Sequence, residues 1–273
     1  MKYQFVPQNF VYPEIKETDF RFGSNQIGKK VLNESGDWRL FLPPAEEQAK
    51  WGVESSACAT ESQQHALATI QEEEYGIQDT DYSARFNAQL SGTTPDGNSP
   101  IKVAESFRRD GLIPDKMLPF AEYLKSWYDY MSFKGADERS CRLVGKGWRK
   151  EWDPRFDIVI TMHENIDVKY KKLREALKSS PLPVSVCAWF DEDGVYIKPE
   201  GMSDNHLTLL VHIDEEGYPT VFDTYAPFIK KLEKKYNFDF GMRWTLEKIE
   251  GGEVEEIGVF YKIINFFKNL WRK

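Results

Sequence analysis

Cysteine is scarce in this chain. Cys58, Cys141 and Cys187 are the only three in 273 residues. An odd, sparse set cannot form a disulfide framework and points to a reducing compartment. Cys-x-x-Cys and His-Glu-x-x-His patterns are missing, so no metal and no other cofactor is expected. Long apolar runs are missing too. Nothing approaches about eighteen consecutive apolar residues, which excludes a membrane-spanning helix. Met1 to Phe10 lacks the charged and then apolar order of a secretory signal. Basic excess is also absent. Lys and Arg number 36 against 44 Asp and Glu, a formal charge of -8, so the footprint of a nucleic-acid binder is not there.

What is present is ordinary for a globular protein: 41% hydrophobic and 29% charged residues, in a length that suits one large domain or two packed lobes. Residues 1–50 read as an irregular segment wrapping the core, broken by Pro7, Pro13, Pro43 and Pro44. A helix is expected over Ala57–Tyr75, with Ser55-Ser56 as its cap and Gly76 as its stop. Two more follow near Ser83–Leu90 and Ile101–Asp110. Residues 121–155 are aromatic and charged without a clear period. Asp167–Lys178 reads as another helix. Beyond it, Val184–Phe190, Gly194–Lys198, His206–Ile213 and Thr220–Tyr225 are short runs rich in β-branched and aromatic residues. The expectation is α+β: a helical lobe over 51–155 and an antiparallel β lobe over 156–257, with a cleft between them. Residues 258–273 carry Ile263, Phe266, Phe267, Leu270 and Trp271 at helical spacing among Lys262, Lys268, Arg272 and Lys273. That pattern is a basic amphipathic helix, docked on its own domain, in a partner groove or on an anionic membrane surface.

Cys58 opens the first helix. Exposed N–H groups and the positive end of the helix dipole favour a thiolate there, although a free cysteine is most often a small buried core residue. Cys187, within Val184–Ala188, fits that plainer reading. A nucleophilic thiol needs an imidazole beside it, and the chain has four histidines. His65 lies roughly 10 Å along the helix axis from Cys58, too far for a direct hydrogen bond. His163 falls in a loop, and His212 ends an apolar strand. His206 begins that strand, and Asp214-Glu215-Glu216-Gly217 turns it back. A four-residue turn sets His206 opposite Tyr225 and Asp223 opposite Thr208. His206 and Asp223 are then diagonal neighbours on one face, roughly 7–8 Å apart at Cα; a single-residue bulge would break the parity. Such a hairpin can present a base and its orienting carboxylate together. A buried histidine beside a surface aspartate remains the alternative.

In this order, the residues resemble the papain-like cysteine peptidases. Asp37-Trp38-Arg39 is similar to the block that opens the mature domain. Cys58 heads a long helix. Gly111-Leu112 with Pro119-Phe120, Pro183–Val186, Gly194-Val195-Tyr196 and Asn205-His206 follow in family order, and Phe222-Asp223-Thr224-Tyr225 takes the place of the Asn-Ser-Trp block. The resemblance implies the two-lobe papain-like fold and a cysteine peptidase acting on peptide or protein substrates. It implies Cys58, His206 and Asp223 as the catalytic triad, with an oxyanion hole from the Cys58 backbone and a glutamine. Gly52 stands where that glutamine is expected, so the role passes to Gln48 across a short insertion. Gly97, Asn98, Val184 and Asn205 are the implied substrate-binding positions. Ala57 and Ala59 replace the family's Ser and Trp, and Asp223 replaces its Asn. Residues 223–232 resemble phage-associated variants, which suggests a cytoplasmic or virion setting. The departures beside Cys58 keep open a second reading, an inactive papain-fold binding or structural protein.

Overall fold

The computed structural model describes residues 10–16, 21–22, 30–78, 80–188 and 195–249. The amphipathic segment 258–273, residues 1–9 and Gly194 lie outside the described residues. A hairpin of β1 (Ala49–Lys50) and β2 (Val53–Glu54) leads into α1 (Cys58–Tyr75). Then come α2 (Ala84–Ser91), α3 (Pro100–Asp110), α4 (Trp127–Tyr130) and α5 (Glu138–Glu151). The second half holds β3 (Trp152–Thr161), α6 (Ile166–Leu177), β4 (Leu182–Val186), β5 (His206–Ile213), β6 (Pro219–Phe222), β7 (Ile229–Lys231) and β8 (Phe240–Lys248). Six of these strands form one antiparallel sheet in the order β3-β8-β4-β5-β6-β7. Helices therefore precede the sheet, as the α+β reading expects. Among the described residues no helix is long and apolar enough to cross a membrane.

α1 is the central helix. It packs on β5, β8 and β4 on one side and on α2 and α3 on the other, and every residue from Cys58 to Gln71 is buried. Burial all round is costly for polar side chains unless they are bonded. Gln63 Nε2 donates to the carbonyls of Ala59 and Pro100, and Gln64 Nε2 to that of Ser83. Gln71 accepts from the Tyr82 hydroxyl at 2.6 Å. The helix ends at Gly76, whose φ of 65° is the left-handed conformation glycine adopts freely. Its start corrects the expected cap. The N-cap is Ala57, with no side-chain bond into the helix; the Ser55 hydroxyl instead accepts from the Ala57 N–H.

The β5–β6 hairpin is built differently from the expectation but arrives at the same place. Ile213 pairs with Pro219 and His212 with Thr220, so the turn is one residue longer than four. The register then shifts between Leu210 and His212, and Leu210 pairs with Val221 and Leu209 with Phe222. The extra residue, Val211, is a bulge that cancels the longer turn. Its carbonyl is taken by the backbone N–H of Trp38 at 3.0 Å, while the Trp38 indole donates to the Leu177 carbonyl at 2.7 Å. Trp38 thus holds the bulge that sets which face His206 and Asp223 occupy. Three expected strands differ from their runs: Val184–Phe190 is β4, which starts at Leu182 and ends at Val186, Thr220–Tyr225 is β6 over 219–222, and around Tyr196 there is a single bridge to Leu232.

In residues 121–155, read from sequence without a clear period, the part around 129–132 is held by a buried cation. The Arg85 guanidinium donates to the main-chain carbonyls of Pro119, Tyr130 and Ser132 at 2.6 to 3.0 Å and to that of Asp129 at 3.2 Å. α5 follows, capped by the Asp137 side chain on the Ser140 N–H. Gly145 sits mid-helix because α3 passes close: a Cβ there would lie 2.3 Å from the Asp110 carbonyl oxygen. Helix propensity alone favours Ala over Gly by about 1 kcal/mol. Gly145→Ala is nonetheless expected to destabilise the fold by about 2 kcal/mol through overpacking, measured as a lower urea midpoint.

Candidate active site

The cysteine at the head of α1 and the histidine at the start of β5 meet. The Cys58 sulfur neighbours the His206 imidazole as a hydrogen-bond partner. His206 Nε2 lies 2.7 Å from Asp223 Oδ1, and its Nδ1 has no oxygen or nitrogen partner. The order is sulfur, imidazole, carboxylate. None of the three residues has exposed surface. Burial disfavours a charged imidazole, but the Asp223 carboxylate and the Cys58 sulfur more than reverse this and lift the His206 pKa to about 10. Burial likewise works against the Asp223 carboxylate; His206 and then Lys230 outweigh it and hold its pKa well below the usual range.

Asp223 is bonded on both oxygens. Oδ1 also accepts from the Thr224 N–H at 2.6 Å, and Oδ2 accepts from the Tyr196 hydroxyl and the Lys230 ammonium, each at 2.6 Å. Tyr225 lies beside the imidazole, ring centroids 5.3 Å apart, and its hydroxyl donates to Glu54 Oε2 at 2.8 Å. Burial, Glu54 and the nearby charges of Cys58 and Asp223 push the Tyr225 pKa far up, so it acts as a neutral donor. Lys230, Tyr196, Tyr225 and Glu54 were not among the site residues expected from sequence. Tyr196 and Tyr225 lie within blocks that carry the family resemblance. For Lys230 no pattern signals a role, since on β7 an inward lysine sits between two exposed neighbours.

Gln48 is fully buried. The insertion separating it from Cys58 is the β1–β2 hairpin, turned at Trp51 and Gly52 with φ of 52° and 80°. Its Nε2 donates to Glu54 Oε1 and to the Tyr225 hydroxyl, both at 2.7 Å, and its Oε1 accepts from the Thr224 hydroxyl. Gln48 is thus joined to the Asp223–Tyr225 segment, with both amide protons engaged. Ser56, two residues before Cys58, holds φ at 55°, with its N–H on Glu54 Oε1 and its hydroxyl on the Pro95 carbonyl. Such a backbone in a non-glycine residue is strain of the kind that gathers at functional sites.

The four positions expected to bind substrate have separate local surroundings. Gly97 closes the turn that Ser56 contacts through Pro95, with φ at 89°. Asn98 Nδ2 is spent on Ser91 Oγ and Thr93 Oγ1. Asn205 Oδ1 accepts from the Ala188 N–H. Val184 is fully buried in β4 between Thr208 and Gly241. Of the other histidines, His65 is buried on α1 and its pKa is lowered to about 4 by burial. Cys141 and Cys187 are buried and neither is in a disulfide.

For a cation, one group among the described residues has suitable atoms: carboxylate oxygens of Glu46, Asp81 and Asp115 lie within 4.8 Å of one another. The Lys50 ammonium, 3.2 Å from Glu46, supplies counter-charge there. Burial, with Glu46 and Asp81 nearby, pushes the Asp115 pKa to about 7. A raised carboxyl pKa stabilises the fold fully below the unfolded value of 3.8 and loses that contribution as pH rises through about 7. Asp115→Asn should therefore melt higher than the unaltered chain at pH 8, with the difference shrinking toward pH 4, by calorimetry.

The sequence matches no protein-family profile and no curated protein sequence. Solved structures do match. Xylellain, a cysteine protease from Xylella fastidiosa, is similar with a TM-score of 0.61 at 12% identity, over 92% of this chain and 100% of that one. A procathepsin B (S9) from Trypanosoma congolense gives 0.57 at 12% identity, over 88% and 86%. The digestive procathepsin L 3 of Tenebrio molitor gives 0.55 at 12% identity, over 83% and 73%. The fold of this chain is the papain-like α+β fold shared by these cysteine proteases.

Proposed function

We propose that this chain is a cysteine peptidase working through Cys58, His206 and Asp223. The observation that carries the reading is the row of thiol, imidazole and carboxylate at the junction of α1 and the sheet. The Cys58 thiolate attacks a peptide carbonyl carbon, and the carbonyl electrons move to oxygen. The N–H of Cys58, in the first turn of α1 where backbone donors have no partner within the helix, stabilises that oxyanion. Gln48 is the second donor, giving up Glu54 or Tyr225 to serve. The His206 imidazolium protonates the leaving amine as the C–N bond breaks, leaving a thioester. Water, deprotonated by His206, then attacks the thioester and releases the acid and the thiolate. Asp223 keeps Nε2 occupied, so Nδ1 faces the sulfur throughout. The virion setting suggested by residues 223–232 rests on that segment alone.

One observation favours a second reading, an inactive papain-fold binding protein: neither Cys58 nor His206 has exposed surface, so a substrate must displace whatever covers them. Thiol labelling separates the two. For the peptidase, an epoxide or iodoacetamide probe should modify Cys58, and His206→Ala should slow this by about a thousandfold. Cys58→Ala should abolish hydrolysis of a peptide library, and Gln48→Ala should lower kcat about a hundredfold. Labelling of Cys58 no faster than that of Cys141 or Cys187 would sink the peptidase in favour of the binding protein.

The raised His206 pKa adds a pH signature. Labelling that needs the imidazolium should hold its rate from neutral pH upward and fall only as pH approaches 10, where the His206 proton is lost. A fall centred near the ordinary histidine value would show that Asp223 and the Cys58 sulfur together do no more than offset burial of the ring.

A further inference from the structure

Lys230 is a buried cation at the back of the site. On β7 its neighbours Ile229 and Lys231 are exposed, while its own side chain points inward. The ammonium has no exposed surface and donates to Asp223 Oδ2 at 2.6 Å and to the Tyr225 carbonyl. The Tyr196 ring lies 5.2 Å from it, and the Tyr196 hydroxyl donates to the same Oδ2 at 2.6 Å. The carboxylate is thereby divided. Oδ1 serves His206 and the Thr224 N–H, and Oδ2 serves Lys230 and Tyr196. An ammonium is expensive to bury, and an apolar side chain could fill the same space. What lysine adds is a charge placed on the far oxygen of the group that holds the histidine.

We propose that Lys230, with Tyr196, is a positioning residue that balances the charge of Asp223 and fixes the tilt of its carboxylate. This rests on the reading of Cys58 and His206 as the reacting pair. Without Lys230, the full negative charge of Asp223 acts on the imidazolium. The proton is then held too tightly to be given readily to a leaving amine, and the carboxylate is free to turn. Without Asp223, the lysine charge acts on the ring unopposed. The groups facing His206 are Asp223 and the neutral Tyr225 from the segment after β6, Cys58 from α1 and, at longer range, Glu61 one turn further along α1. Those facing Lys230 are Asp223, the Tyr225 carbonyl, Tyr196 and, at longer range, Glu47. No other charge is needed for the effect.

The test is the titration of the His206 imidazole by NMR in the full chain, assigned with His206→Gln, alongside the pH profile of peptide hydrolysis. Four species are compared: unaltered, Lys230→Met, Asp223→Asn and the double variant. The expected order of titration midpoints, highest first, is Lys230→Met, unaltered, double variant, Asp223→Asn. The first step should be about one pH unit, and kcat/KM at neutral pH should fall about tenfold in Lys230→Met. The double variant should recover part of the activity lost in Asp223→Asn, because it no longer carries an unopposed cation. A purely structural lysine gives a different result: Lys230→Met titrates with the unaltered chain, and the double variant with Asp223→Asn. That outcome overturns the proposal. If Lys230→Met does not fold, Tyr196→Phe removes one donor to Oδ2 and should move the midpoint upward by a smaller amount; no movement counts against the proposal equally. Absence of hydrolysis in the unaltered chain refutes the peptidase, whereas the titration order decides the role of Lys230 on its own.

Discussion

The carboxylate of Asp223 is the point on which the site depends. A charge with no exposed surface survives only when every lone pair is used and a counter-charge is close. Here the donors come from four parts of the chain: His206 from β5, Thr224 from the segment after β6, Lys230 from β7 and Tyr196 from the strand-like stretch beside Leu232. These segments have to be in place before the imidazole has a fixed direction. The far end of the same segment reaches Gln48 through Thr224 and Tyr225, and Gln48 leads through the β1–β2 hairpin to α1 and its cysteine. The thiol and the histidine are therefore tied through one continuous polar network as well as by their own contact.

That network sets the electrostatic character of the site. The Asp223 carboxylate lies between the His206 imidazole and the Lys230 ammonium, and the imidazole lies between that carboxylate and the Cys58 sulfur. Removing the carboxylate leaves the buried ammonium without its counter-charge. This differs from a catalytic residue that is simply oriented by a neutral hydrogen bond, because here orientation and proton affinity are set by the same contacts. The buried tyrosines fit the pattern: with pKa values raised by burial, Tyr196 and Tyr225 remain donors and add no charge.

Much of this was legible in the sequence because it follows from local rules. A long run without Gly or Pro ending at Gly76 gives α1, and two β-rich runs around a short turn give the hairpin that brings His206 to Asp223. The hairpin expectation reached the right pairing at Leu209 and Phe222 although the turn is longer, since the bulge at Val211 restores the parity and only a tertiary bond from Trp38 reveals why. What stayed hidden depends on distant contacts. β3 and β8 pair across about ninety residues of chain, a distance that leaves no local trace. α5 lies in the stretch 121–155 that showed no clear period, and its mid-helix Gly145 is explained only by the approach of α3. Lys230 looks like any lysine in a basic run. Its role comes from the inward turn of one residue in a three-residue strand.

Arg85 shows another consequence of how this chain is held. Its guanidinium binds main-chain oxygens of residues 119, 129, 130 and 132 and lies over the ring of one of them, Tyr130, 5.9 Å from its centroid. Apart from that buried tyrosine, the stretch is anchored by its carbonyl positions. Extensive rewriting of the outward-facing amino acids there should be neutral to the architecture, whereas a change of one residue in length would pull several acceptors off the same donor at once. The segment is therefore open to divergence in composition and closed to divergence in spacing, which makes it a place where a new surface can be written onto an old scaffold.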